Sequence, residues 1–127
     1  MAMTTAQKLR IKAGDVIRLI GTPDDYDRRL GELPAGVRFS DSAQPGTAAV
    51  HLFVATTEEL AEQFPGLLPE LEAADRVWII YRRRKKYSPG DANRDSIWEY
   101  LKSRNWTAVA NYAVDGELSA VWAKPAG

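Results

Sequence analysis

The chain has no cysteine and a single histidine, His51, in 127 residues. Without cysteine there is no disulfide, no thiolate zinc site and no cysteine nucleophile. With one histidine, only carboxylates remain to hold a metal. The acidic stretch DDYD, Asp24 to Asp27, lacks the glycine and distal glutamate of a calcium loop. No metal is therefore expected. An excess of one charge is also missing. Seventeen basic residues balance seventeen acidic ones, so no global field draws in a polyanion. No apolar run approaches the ~20 residues of a membrane helix, and no membrane contact is expected. The opening MAMTTAQKLRIKAGD lacks the apolar core of a signal peptide. A cytoplasmic, bacterial-type protein is the expectation. There is no G-x-S-x-G elbow and no G-x-x-x-x-G-K phosphate loop.

What is present is ordinary globular composition, 45% hydrophobic and 27% charged. The length suits one domain over 1–127, with residues 1–8 polar, small and expected to fray. VIRLI (Val16 to Ile20) follows a turn at Ala13-Gly14-Asp15. It is short, apolar and rich in β-branched residues, as a strand buried on both faces should be. Gly21 breaks it. Thr22 can then cap a helix, Pro23 suits its first position, and Asp24 and Asp25 suit its dipole.

Val37 to Ser40 alternates as a short strand, and VHLFVA (Val50 to Ala55) reads as a second buried one. Thr56 and Glu59 form a capping box ahead of Leu60, Phe64, Leu67, Leu68 and Leu71 at helical spacing. Pro65-Gly66 should kink or split that helix. RVWIIY (Arg76 to Tyr81) is a third buried strand. Asn93 can cap a helix carrying Ile97, Trp98 and Leu101. Trp106 to Val114 and Glu117 to Ala123 are strands, with Asp115-Gly116 as a two-residue hairpin signal. Alternating strands and helices predict a three-layer α/β architecture. Its sheet should be mostly parallel, Rossmann-like and of five to six strands, with helices on both faces. A C-terminal antiparallel β-hairpin should close it.

Gly14-Asp15 precedes the first strand, and Tyr81 leads into a cationic turn. Arg94-Asp95 stands before Ile97-Trp98, and Ser119-Ala120 lies in the last strand. With that element order, the chain resembles a Rossmann-like methyltransferase with its middle cut short. More closely, it resembles a small bacterial family described as truncated methyltransferase-like domains of unknown function. The resemblance spans roughly Leu9 to Lys124. It departs from the pattern at Arg82, where a proline is expected. It implies a fold and, as an alternative function, a minimal S-adenosylmethionine-dependent methyltransferase.

In open α/β sheets, ligands bind beyond the carboxyl ends of the strands. That edge collects Gly21, Thr22, Pro23, Asp41 and Thr56 as a candidate pocket, with Asp41 able to hold a ribose. Against it, a nucleotide site usually needs several glycines after the first strand. Here Gly21 stands alone. Pro23 has no N–H, and Asp24, Asp25 and Asp27 would repel a phosphate. The expectation is no cofactor. His51 is expected in the core, near the amino end of its strand. The four tryptophans also have core explanations.

Arg82, Arg83, Arg84, Lys85 and Lys86 are the least ordinary stretch, flanked by Tyr81 and Tyr87. Interleaved cations and aromatics suit phosphate contact with stacking. A charge run after a strand is usually just a solvated loop. Its position on the ligand edge favours function. The leading expectation is a non-catalytic binding domain. It would engage an anionic small molecule, protein or nucleic acid through this loop, with weak nucleic-acid binding as a further alternative.

Overall fold

A computed structural model describes residues 3–126. Six strands form one sheet: β1 (Val16–Ile20), β2 (Arg38–Ser40), β3 (Ala49–Phe53), β4 (Arg76–Arg82), β5 (Trp106–Ala113) and β6 (Leu118–Pro125). Their order is β2-β1-β3-β4-β6-β5. β2, β1, β3 and β4 are parallel neighbours, and β6 runs antiparallel to both β4 and β5. The fold is thus the expected mostly parallel, Rossmann-like α/β sheet, with one antiparallel strand inserted at its carboxy-terminal side.

Side chains alternate across the sheet and build a core on each face. Val50, Leu52, Val54, Val77, Ile79 and Val121 pack on one face. The helices α3 (Thr57–Ala73) and α4 (Arg94–Ser103) cover them. Ile17, Ala49, Trp78, Ile80, Leu118 and Ala120 belong to the other face. Among the described residues that face carries two single-turn helices, α1 (Thr5–Lys8) and α2 (Tyr26–Arg29). Trp78 and Trp122, opposite each other on β4 and β6, stack there with centroids 5.4 Å apart and planes 28° apart.

Several local expectations change. The fraying expected before Leu9 is not seen at residues 4–8, while Met1 and Ala2 lie outside the described residues. Thr4 and Gln7 form a capping box, Thr5 Oγ1 donates to the Val114 carbonyl at 2.8 Å, and Ala6 and Leu9 are buried. The helix after β1 begins at Tyr26, not at Pro23 with Thr22 as its cap. Asp25 makes no side-chain cap bond and pairs instead with Arg29 at 3.0 Å. Helix α3 runs unbroken through Pro65 and Pro69. Each proline forfeits one helical hydrogen bond. Ala61 and Pro65, whose carbonyls lose their partners, are exposed, so water can serve them. Leu60, Phe64 and Leu71 hold the other side in the core.

The final hairpin is wider than two residues. Val114 N–H donates to the Leu118 carbonyl at 2.8 Å. The Asp115 carboxylate accepts from the amides of Glu117 at 2.7 Å and Leu118 at 2.8 Å. A side chain does here what a tight glycine turn would do elsewhere.

Candidate functional site

The chain leaves β1 in one direction to β2 and returns in the other to β3. The order therefore reverses at β1, and ligands in such sheets gather at the carboxyl ends beside that point. Gly21 makes the turn off β1 at φ +68°, a left-handed conformation that glycine adopts without penalty. A Cβ at Gly21 would stand 3.2 Å from the Phe53 carbonyl oxygen. The first loop is thus drawn tightly against the end of β3.

On the outer side of that contact lies an open depression of about 420 Å³. Leu19 and Phe39 give it apolar surface, and Gly21, Thr22, Pro23 and Asp41 also line it. Asp41 follows directly on the last residue of β2 and is exposed. Gly21, Thr22, Pro23 and Asp41 of the candidate pocket are therefore brought together. Thr56 is placed elsewhere. Thr56 Oγ1 accepts from Glu59 N–H at 3.0 Å as the cap of α3. The Thr56 backbone bridges to Asp91, and the amide of Ala92 donates to the Ala55 carbonyl at 3.0 Å. The end of the loop after β4 thus lies over β3 and the start of α3.

The basic loop is largely engaged inside the molecule. Arg82 donates to Glu117 at 3.0 Å. Arg83 donates to the Leu118 carbonyl and the Ser119 hydroxyl, both at 2.9 Å, and to the Asp115 carbonyl at 2.7 Å. Arg84 reaches Asp91 at 3.7 Å. Lys85 and Lys86 are exposed and make no ion pair among the described residues. Tyr81 is buried against the α3–α4 face and donates to Asn111 at 3.2 Å, so its ring cannot stack on a ligand. Tyr87 accepts from the Arg84 amide at 3.3 Å.

Spacing could not reveal the most buried polar contact. His51 sits in the middle of β3, not at its end, and is fully buried. Its Nδ1 lies 2.6 Å from the Tyr26 hydroxyl. Burial, helped by the Arg76 charge, pushes the His51 imidazole down to about 3. Burial, helped by Asp115, pushes the Tyr26 phenol up. Both are therefore neutral near pH 7, and a single hydrogen bond joins the phenol oxygen to Nδ1. Asp115 is different: burial pushes its carboxyl up, but the Glu117 and Leu118 amides and Arg29 outweigh this and hold it low.

Comparison with protein-family models and with curated proteins finds no match. Solved structures do share the fold. A Sulfolobus solfataricus structure described as a type 11 methyltransferase superposes with TM-score 0.59 at 10% identity, covering 96% of this chain and 89% of that one. Magnesium protoporphyrin IX methyltransferase from Synechocystis PCC 6803, with bound S-adenosylmethionine, gives 0.56 at 12%, covering 96% and 74%. A Streptococcus agalactiae protein of the NADB-Rossmann superfamily gives 0.55 at 10%, covering 99% and 69%. These comparisons correct the expectation of no cofactor, because a neighbour in this fold holds the methyl donor. That expectation weighed the glycine count, Pro23 and the acids Asp24, Asp25 and Asp27, whereas the depression lies beside the tight turn, where Leu19, Phe39 and Asp41 line it. At these identities the likeness is one of fold: the chain has the Rossmann-like architecture of S-adenosylmethionine-dependent methyltransferases.

Proposed function

We propose that the chain is a minimal methyltransferase-type domain that binds S-adenosylmethionine in the depression at the ends of β1 and β2. The observation that carries this reading is the meeting of Gly21, Thr22 and Asp41 on one depression beside the reversal of strand order. The residues fit the ligand chemically. Asp41 offers carboxylate oxygens to the two ribose hydroxyls, and Leu19 and Phe39 offer apolar surface to the adenine. The acids on the rim suit a cationic sulfonium better than a phosphate, which favours a methyl donor over a dinucleotide. When bound, the donor would supply an electrophilic methyl group. This chain's part would be to hold and orient it.

Calorimetric titration with S-adenosylhomocysteine tests the reading. Micromolar binding by the wild type and a loss of about tenfold or more in Asp41→Ala are expected. No heat at millimolar ligand would refute it.

A second reading keeps the basic loop as a contact for an anionic partner. It is supported by Lys85 and Lys86, which are exposed and engaged by no acid among the described residues. Two exposed lysines give a shallow salt slope, roughly one unit of log K per tenfold change in salt for each phosphate contact. Retention of duplex nucleic acid at physiological salt, lost in the Lys85→Ala/Lys86→Ala variant, would support it. Binding seen only at very low salt would count against it.

A further inference from the structure

Thr22, Pro23 and Asp24, in the loop that runs on to Asp25, line one side of the depression. Among the described residues it has little side-chain anchorage of its own. Neither Thr22 nor Asp24 takes part in a side-chain hydrogen bond, and Asp25 reaches only Arg29, one turn along. The short helix α2 that follows it cannot support itself, since one turn is below the length at which helices are stable alone. Both ends of the loop are instead fixed to β3. Gly21 lies against the Phe53 carbonyl, and Tyr26 is bonded through its hydroxyl to His51. The Tyr26 and His51 rings also meet edge to face, with centroids 5.8 Å apart. Phe53 and His51 are alternate residues of the same strand.

We propose that His51 is a positioning residue for the donor site: through Tyr26 it sets where the loop Gly21–Asp25 stands, and so the width of the depression. His51 does not touch the ligand in this role. Tyr26, itself buried, carries the constraint from His51 to the loop that precedes it. The role rests on the donor-binding reading above.

A polar contact buried this deeply has a structural cost when cut, so stability alone cannot identify positioning. The design below separates the two. Tyr26→Phe removes the hydroxyl and leaves His51 Nδ1 buried without a partner. The double variant Tyr26→Phe/His51→Leu removes both polar groups, and replacing both partners by apolar ones is close to neutral for stability. Melting temperature and S-adenosylhomocysteine affinity are measured on the wild type and on both variants. Melting temperature should fall in Tyr26→Phe and recover in the double variant. Affinity should fall about tenfold in Tyr26→Phe and stay low in the double variant. Amide exchange in the ligand-free protein should quicken over residues 21–25 in both variants while β3 stays protected.

Unchanged affinity in Tyr26→Phe, or affinity that recovers together with melting temperature in the double variant, overturns the positioning role and leaves donor binding intact. No heat from the wild type overturns donor binding, and this role with it.

Discussion

Arg83 and Asp115 are joined across the closing hairpin, with the Arg83 guanidinium donating to the Asp115 carbonyl oxygen at 2.7 Å. The same guanidinium also serves the Leu118 carbonyl and the Ser119 hydroxyl. One member of the basic run therefore acts as a clamp on the turn between β5 and β6. Replacing Arg83 by alanine should cost about 1–3 kcal/mol, because backbone oxygens lose charged donors. Replacing Lys85 or Lys86 should change stability by no more than about 0.5 kcal/mol. Urea unfolding of the three single variants checks the contrast, and equal effects would refute it.

His51 gives stability a pH dependence of known sign. Its folded value of about 3 lies below the usual 6.5. The unfolded chain therefore binds the extra proton first as the pH falls. The stability linked to neutral His51 is complete above the unfolded value and drains away on acidification towards the folded one. The slope should approach ~1.4 kcal/mol per pH unit well below the unfolded value. In His51→Leu the slope between about pH 5 and 6.5 should largely vanish. Denaturant midpoints across that interval provide the measurement.

Pro69 lies on the exposed side of α3. Replacing it by alanine restores a helical amide without disturbing Leu71 in the core. A gain of roughly 1–2 kcal/mol is expected, less than the full helix-interior penalty because proline also restricts the unfolded chain. A melting temperature that falls in Pro69→Ala would contradict this account of the unbroken helix.

Gly21→Ala should do the opposite. Its φ of +68° penalises any side chain, and the new Cβ would press on the Phe53 carbonyl at 3.2 Å. A loss of about 1–2 kcal/mol is expected. Donor affinity should fall with it, since the wall begins at this residue. A variant as stable as the wild type would show that the turn relaxes freely.

Much of this was legible in the chain itself. VHLFVA and RVWIIY are buried on both faces, so their side chains need no alternation and the apolar runs stand out; VIRLI, expected to match them, buries only Ile17 fully. Asn93 announces α4 because capping is local chemistry, and it accepts from Ser96 N–H at 2.9 Å. The unbroken α3 was not legible. A proline's cost is written in the sequence, whereas the burial of Phe64 against Trp106 that offsets it joins distant segments. The same holds for the cations. Arg82 and Arg83 look free beside their neighbours in sequence, yet their acceptors arrive with the hairpin, at Asp115 to Ser119. The donor depression was half legible. Gly21, Thr22 and Asp41 followed from strand ends, but nothing in the spacing tied Tyr26 to His51. An isolated histidine inside an apolar strand was the available sign that a polar partner had to come from elsewhere.

The stacked pair Trp78 and Trp122 has an optical consequence. Two indoles this close couple their electronic transitions, and the 28° tilt between their planes lets those transitions be skewed, so the protein's circular dichroism should carry an aromatic couplet on top of its backbone signal. Because one ring belongs to β4 and the other to β6, that couplet can exist only once the antiparallel strand has entered beside its parallel neighbour. Its appearance during refolding would time the pairing of β6 with β4, with no label added.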